Sequence, residues 1–175
     1  MNPLDFFAKG SEEPLPKHEK DALLKSVQGK DYALFGLVLE TGMDYKELPL
    51  IHWNDVFQSE LAIKLYDKRL KRVRTVYAPK RLFDVLMRFR GQNEELIFPY
   101  SEYMLQQKLK AATKHALGKE HSWHSLRLTY ITDAASCGIP LEIAAENSGI
   151  SPAMLFKYWK HTPEEVRKLM ARRIL

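Results

Sequence analysis

A tyrosine among basic residues near the end of the chain is the first feature that suggests chemistry. Residues 148–161 read SGISPAMLFKYWKH, and the hydroxyl of Tyr158 in this stretch could attack a phosphate as the nucleophile of an active site. The stretch also fits the second half of a DNA-binding helix-turn-helix, and Tyr158 could equally be a packing residue beside Trp159. Three interpretations therefore stay open until the rest of the chain is considered.

The helix-turn-helix interpretation rests on the spacing of small and apolar residues. Ala145 would let two helices pack closely, Gly149 would make the turn between them, and Ile150, Leu155 and Tyr158 would hold them together. The stretch IAAENSGISPAMLFKYW resembles the helix-turn-helix of tetracycline-repressor-type regulators. Those regulators carry the motif near the N-terminus of an all-helical chain, whereas here it follows a predicted hairpin. The same spacing also fits two packed helices with no DNA contact.

Three longer blocks occur in a fixed order, and ordered blocks are more specific than any single motif. They are TGMDYKELPLIHWNDV at 41–56, the basic segment KLYDKRLKRVR at 64–74, and SWHSLRLTYITDAASCGIPLEIAAENSGIS at 122–151. From about Leu15 onward this order resembles the tyrosine recombinases, the phage-integrase family. The first block resembles the family's T-G-x-R-x-x-E-L box, and HSLR resembles its H-x-x-R box.

The resemblance implies a fold that is mainly α with a small antiparallel β hairpin or sheet, an α+β catalytic domain. It implies DNA integration or recombination, as in mobile elements, with double-stranded DNA and other recombinase subunits as partners. In such chemistry a tyrosine attacks a phosphodiester, two arginines clamp the phosphate oxygens, and a hairpin lysine protonates the leaving oxygen. Neither a cofactor, a metal, a membrane nor a small-molecule substrate is implied.

The resemblance assigns site residues one by one. His124 and Arg127 match the H-x-x-R box, Tyr158 would be the nucleophile of an active enzyme, and the hairpin lysine would be Lys71 or Lys68. Arg127 could instead bond to nearby carbonyl groups without contacting any phosphate. The predicted DNA-binding residues are Lys68, Arg69, Lys71, Arg72, Arg74 and Arg127.

The chain departs from the family pattern at three positions. The first arginine of the clamp falls on Asp44, the second histidine or asparagine on Ile150, and the tyrosine on Trp159, one residue after Tyr158. We therefore expect a DNA-binding protein that is deficient in strand cleavage. The alternatives are an active recombinase that uses Tyr158, a helix-turn-helix regulator, and a protein-interaction domain that kept the fold.

Local signals place these residues on predicted elements. Residues 1–15 are predicted to be a flexible lead-in and residues 16–175 a single integrase-like domain. Alternating apolar residues at 60–67 and β-branched and aromatic residues at 73–79 predict an antiparallel hairpin with a basic tip. Cap, proline and glycine signals predict helices at 16–29, 30–42, 43–51, 79–90, 101–118, 124–138, 140–149, 151–161 and 162–173. The strongly apolar helix at 30–42 is predicted to be buried, and the one at 43–51 has Asp44 as its cap and stops at Pro49.

Composition narrows the class of protein further. The 175 residues are 45% hydrophobic and 28% charged, as in globular domains, and the net charge of +5 favours a polyanionic partner. Cys137 is the only cysteine, and no signal peptide or long apolar run occurs, so a cytoplasmic location is expected. His115, His121 and His124 have no cysteine or acid at matching spacing, so we expect no metal site.

Overall fold

The structure, a computed structural model, describes residues 13–91, 95–156 and 159. Its first two helices are α1 (Lys17–Ser26) and α2 (Gly29–Thr41). The sequence predicted that Gly29 ends the first helix, but Val27 and Gln28 are extended and Gly29 begins the second one. Residues 33–39 of α2 are buried on every side, as the apolar run there predicted. Leu15, at the end of the predicted lead-in, is also buried, and its backbone N–H donates to the Thr129 hydroxyl at 2.8 Å.

A short 3-10 helix, Tyr45–Leu50, follows α2 and is capped by Asp44 as predicted. The Asp44 carboxylate accepts from the Lys46 N–H at 3.0 Å, and the Glu47 carboxylate accepts from the Asp44 N–H at 3.0 Å. This reciprocal pair is a capping box. The prediction that Pro49 stops the helix is wrong, because the 3-10 turn passes through Pro49 to Leu50. Further 3-10 turns lie at Trp53–Asp55, Gln58–Glu60 and Met87–Phe89.

The predicted hairpin is part of a three-stranded antiparallel sheet in the order β1-β2-β3. The strands are β1 (Val56–Phe57), β2 (Ala62–Asp67) and β3 (Arg72–Tyr77). Ile63 pairs with Val76 and Leu65 with Arg74, and these side chains form the buried face of the sheet. Because side chains alternate along a strand, the neighbouring positions form the opposite face, where Tyr66, Val73 and Tyr77 are exposed.

Five more helices complete the described fold: α3 (Lys80–Leu86), α4 (Glu102–Leu117), α5 (Trp123–Ser136), α6 (Leu141–Ser148) and α7 (Pro152–Phe156). The predicted helices over 101–118, 124–138 and 140–149 are confirmed to within a few residues at each end, and the one over 79–90 finishes as a 3-10 turn. Of the helix predicted at 151–161, only Pro152–Phe156 is helical among the described residues, and Trp159 lies beyond its end. Ser101 caps α4 at one end and Gly118 ends it in the left-handed conformation, as predicted. The helix predicted at 162–173 lies outside the described residues.

The core consists of two clusters of buried apolar side chains. The larger one contains side chains from the four helices α1, α2, α3 and α4, from the buried face of the sheet and from the start of α5. The smaller one joins α5, α6 and α7, and Trp159 packs against it. The second cluster therefore holds these three C-terminal helices together. Within the part of the chain that the structure describes, no helix has the length and apolar character needed to span a bilayer.

Candidate functional site

Three arginines converge on the turn that follows α6, at Ser148 and Gly149. Arg127, on α5, donates from Nη2 to the Ser148 carbonyl at 2.6 Å, and Arg69, at the hairpin tip, donates to the Gly149 carbonyl. Arg74, on β3, packs so closely that a Cβ on Gly149 would lie 2.8 Å from its Nη1. Gly149 also has φ +69°, so two separate constraints require glycine at this turn. The turn therefore brings the hairpin, α5 and α6 together.

Arg127 connects this turn to the segment around Gly42. Its Nε donates to the Gly42 carbonyl at 2.6 Å, and its Nη1 lies 3.5 Å from the Asp44 carboxylate. The side chain is only 11% exposed. Burial lowers the pKa of the Arg127 guanidinium below its ordinary value, while the Asp44 and Glu47 carboxylates act in the opposite direction. The carbonyl contacts give Arg127 a structural role, and its contact with a phosphate stays a prediction.

Asp44 uses its two carboxylate oxygens for different purposes. One oxygen caps the 3-10 helix through the Lys46 N–H, and the other forms the ion pair with Arg127. An aspartate is a favoured capping residue, so the side chain is well suited to this position of the fold. The position that the resemblance assigns to the first arginine of the clamp therefore holds a carboxylate, and this carboxylate pairs with Arg127, the arginine of the H-x-x-R box.

Arg74 is almost completely buried, at 1% exposure, between two carboxylates. It contacts Glu47 through two hydrogen bonds of 2.7 and 2.9 Å and Asp67 through one of 3.2 Å. Burial acts to lower the pKa of Arg74, yet the hydrogen bonds and charges of Glu47 and Asp67 raise it above its ordinary value. Strand alternation turns Arg74 to the buried face of the sheet, where its cross-strand neighbour is Leu65, so contact of Arg74 with DNA stays a prediction that its burial disfavours.

Asp67 also shapes the hairpin tip. Its carboxylate accepts from the backbone N–H groups of Arg69 and Leu70, at 2.9 and 3.0 Å. Burial acts to raise the pKa of Asp67, but the Leu70 N–H, the Arg74 charge and the Arg69 N–H together lower it below its ordinary value. The Glu47–Arg74–Asp67 group therefore fixes both the 3-10 helix and the hairpin turn.

The other basic residues of the hairpin remain at the surface. Lys68 and Lys71 are exposed, and Lys71 has a positive φ of 50° in the turn. Arg72 forms a paired contact with Glu146 on α6, at 2.9 and 2.7 Å, while about half of its side chain stays exposed. Arg69, rather than Lys68 or Lys71, contacts the turn beside Arg127. Which hairpin residue acts in proton transfer stays a prediction.

Helix α6 closes the outer edge of β3, a feature that the sequence did not reveal. Asn147 accepts from the Tyr77 N–H at 2.9 Å and donates to the Tyr77 carbonyl at 3.0 Å, as a neighbouring strand would. Glu146 accepts from the Thr75 N–H at 3.4 Å. Edge strands with unpaired backbone groups invite pairing with other chains, and these two side chains occupy that edge.

The two other departures from the family pattern are packing positions. Ile150 is 4% exposed and belongs to the smaller core cluster, and Trp159 packs against that cluster from the end of α7. Tyr158 lies outside the described residues. His124 lies in the first turn of α5, next to the capping residue Ser122, and is partly exposed. Because His124 and Arg127 are three residues apart on a helix, they lie on the same face.

Among the described residues, no group of three or more His, Cys, Asp or Glu side chains could hold a metal ion. Of the three histidines considered from the sequence, His121 lies 3.3 Å from the Glu19 carboxylate. Lys119 contacts the same carboxylate at 2.7 Å, so Lys119 and Glu19 form a local ion pair beside His121.

Comparison with known proteins identifies the fold of the chain. No protein-family model and no curated protein sequence matches the chain. Among solved structures, XerA recombinase superposes with a TM-score of 0.75 at 18% identity over 94% of this chain. The Tn1549 transposon integrase, solved with transposon right end DNA, gives 0.76 at 16% identity over 96% of this chain. The catalytic domain of bacteriophage HP1 integrase gives 0.68 at 19% identity over 92% of this chain.

These similarities confirm the predicted fold class. The chain has the fold of tyrosine-recombinase and integrase catalytic domains, mainly helical with a small antiparallel sheet. The match covers 95% of the HP1 catalytic domain, 68% of the Tn1549 protein and 65% of XerA, so the chain spans less than two thirds of that recombinase.

Proposed function

We propose that this chain is a DNA-binding protein of the tyrosine-recombinase type whose strand-cleavage chemistry is impaired. The observation that carries the proposal is the ion pair between Asp44 and Arg127. These are the two positions that the resemblance assigns to the arginines of a phosphate clamp. The proposed partner is double-stranded DNA, and contact with further recombinase subunits stays a prediction of the resemblance. The structure of the Tn1549 integrase with DNA supports this choice of partner.

Duplex binding is supported by the surface charge of the hairpin. Residues 68–73 are all exposed and contain four basic residues and no acid. Around the α6 turn, in contrast, the charges of Arg74 and Arg127 are balanced by Glu47, Asp67 and Asp44. Of these two neighbouring regions, the hairpin tip is therefore the one with positive charge available to phosphates, and phosphate contacts of this kind give affinity without sequence recognition.

The first test measures duplex affinity at several salt concentrations. We expect the logarithm of the association constant to fall linearly with the logarithm of salt concentration, by about 0.9 per phosphate contact. The double substitution Lys68→Gln, Lys71→Gln is expected to reduce this slope by about 1.8, because two contacts are removed. The matched control is Lys25→Gln, Lys114→Gln, which removes two exposed lysines from α1 and α4. Equal slopes for the two variants would place the DNA elsewhere on the surface.

The second test asks whether Asp44 limits binding at Arg127. Asp44→Asn keeps a capping oxygen for the Lys46 N–H but removes the charge beside Arg127, so the fold should be retained. We expect duplex affinity to rise about fivefold or more, since a unit charge about 4 Å away costs at least ~1 kcal/mol even in water. Asp21→Asn on the exposed side of α1 is the control for net charge alone. An equal gain in both variants would mean that Arg127 does not contact the phosphate backbone.

The alternatives give different results in these measurements. A protein-interaction domain that kept the fold would show no duplex binding even at low salt. The helix-turn-helix interpretation requires α7 to enter a groove of the duplex, so its affinity would respond to substitutions on α7 rather than at Lys68 and Lys71. Residues Ala145, Ile150 and Leu155 do pack together as that interpretation requires, but the same contacts build the smaller core cluster.

A further inference from the structure

The open face of the sheet carries large exposed side chains that the proposed duplex contact does not use. The strand register brings seven residues to this face: Ala62, which is buried, and Phe57, Lys64, Tyr66, Val73, Thr75 and Tyr77. Tyr66 is 62% exposed, Val73 57% and Tyr77 52%. Scattered apolar residues are normal on a protein surface, but here Tyr66 and Val73 are cross-strand neighbours, and Tyr77 lies on the same face beyond the Lys64–Thr75 pair.

One residue of this face, Lys64, is basic, and none is acidic. Lys64 extends over the ring of Phe57, with its Nζ 4.1 Å from the ring centroid. Lys68 and Lys71 continue the positive charge at the adjoining hairpin tip. A second copy of the chain would bring the same lysines against this surface, and like charges in contact are unfavourable. The face therefore suits a flexible polyanion that also carries planar apolar groups.

A shallow cleft beside Tyr66 extends the surface. It has a volume of about 260 Å³ and lies between β2 and the 3-10 segments, lined by Lys64 and Lys68 on one side and by Leu50 and His52 on the other. Glu47 and Asp55 also line it, but Glu47 is paired with Arg74, and Asp55 accepts from the His52 N–H at 2.9 Å. The ring of Tyr66 offers a flat surface on which a base can stack. The lysines at the edge of the cleft offer a positive charge to the phosphate of that nucleotide.

We propose that this open face binds unpaired bases of single-stranded DNA. Bases stack on Tyr66 and Tyr77, and the phosphates between them pass Lys64 and Lys68. Stacking on aromatic side chains tolerates any sequence, because every base has a flat face. The inference goes beyond duplex binding through the hairpin tip and does not depend on it, since the aromatic residues of the face are not part of the proposed duplex contact.

The experiment compares a fluorescent oligothymidylate of about 12 nucleotides, within the ~4–16 nucleotides that such surfaces cover, with a duplex of the same length. Tyr66→Ala and Tyr77→Ala are each expected to weaken single-strand binding by about 5- to 150-fold, the range measured for loss of one stacked base. Tyr66→Phe should retain the affinity, because the ring remains. The control is Tyr103→Ala on α4, where the side chain is 73% exposed and far from the sheet in sequence.

Single-strand affinity that is unchanged in Tyr66→Ala and Tyr77→Ala, or lowered equally in Tyr103→Ala, would overturn the proposal. So would sedimentation showing a dimer that Tyr66→Ala dissociates, because the face would then be an interface between copies. Because these tyrosines are exposed, the variants should keep their melting temperature. Duplex affinity should also stay unchanged in them, so that failure of this inference and failure of duplex binding are separate results.

Discussion

Replacement of Arg74 by alanine is expected to lower the free energy of unfolding by about 3–5 kcal/mol, the typical cost of breaking a buried ion pair from one side. The Arg74 side chain is 2% exposed and lies between Glu47 and Asp67. Without the guanidinium, two carboxylates of the same charge would face each other in a largely dry site. The loss would also leave a space beside Gly149, because the Arg74 guanidinium packs directly against this glycine. Urea unfolding followed by circular dichroism measures the difference.

Arg72→Ala is the matched control, since it removes an arginine two residues away on the same strand. Arg72 pairs with Glu146 at 2.7 Å, but its side chain is 49% exposed. Exposed ion pairs contribute about 0–1 kcal/mol, so the control variant should be nearly as stable as the natural chain. If both variants lose the same free energy, the buried cluster has no special role in stability.

Neutralising the whole cluster separates the charge effect from the packing effect. In the triple variant Glu47→Gln, Asp67→Asn, Arg74→Met, the amide introduced at position 67 still has an oxygen for the Arg69 and Leu70 N–H groups. Buried ion pairs can often be replaced by neutral groups of similar volume at little cost, so this variant should recover most of the stability that Arg74→Ala loses. A triple variant as unstable as Arg74→Ala would show that the hydrogen bonds, not the charges, dominate.

The elements that could be predicted from sequence are those with local signals. Helix α4 has a serine cap and a terminal glycine, and the hairpin has alternating apolar residues on both sides of a basic turn. Strand β1 has only two residues, Val56 and Phe57, which is too short for any periodicity to be visible. The ordered blocks added what local signals lacked, because they placed distant segments in one fold.

The contacts of the site could be predicted only in part, because they depend on which face of an element a side chain occupies. Arg72 and Arg74 belong to the same basic run, yet one is half exposed and the other buried. The available signal was that Arg74 lies two residues before the apolar Val76, which puts both side chains on the same, buried face of the strand. The run of basic residues around Arg74 predicted an exposed surface instead. The ion pair between Asp44 and Arg127 joins segments far apart in sequence, so only the assembled fold reveals it.

The placement of charge has a consequence for function. Three acids from two segments balance the arginines near the α6 turn, so the excess of positive charge in the chain is carried by other surfaces, including the hairpin tip. A phosphate clamp works in the opposite way, by presenting uncompensated donors to an anion. The site therefore has the arrangement of a stabilised junction between elements, and the hairpin beside it is where we propose that DNA binds.

The second large effect concerns chemistry: we expect no covalent protein–DNA adduct with a nicked duplex suicide substrate. In a clamp, two arginines would stabilise the charge that develops on the phosphate oxygens. Here Asp44 opposes that charge and also pairs with Arg127. At about 4 Å and an effective dielectric constant of about 20, a unit charge pair is worth ~4 kcal/mol. Exchanging attraction for repulsion changes the barrier by roughly twice that amount, or about five to six orders of magnitude in rate.

Two further positions also disfavour strand cleavage. Ile150 is buried in the smaller core cluster and has no side-chain donor, and Trp159, which packs against that cluster, has no hydroxyl to attack with. The adduct assay is read on a denaturing gel, and a band that disappears in Tyr158→Phe would show that Tyr158 is a working nucleophile after all. Its complement is the double substitution Asp44→Arg, Trp159→Tyr, which restores both family residues but removes the cap and the ion pair of Asp44. An adduct that forms only in this double variant, and not in either single one, would identify the ion pair and the packed tryptophan as the changes that removed cleavage from an otherwise intact fold.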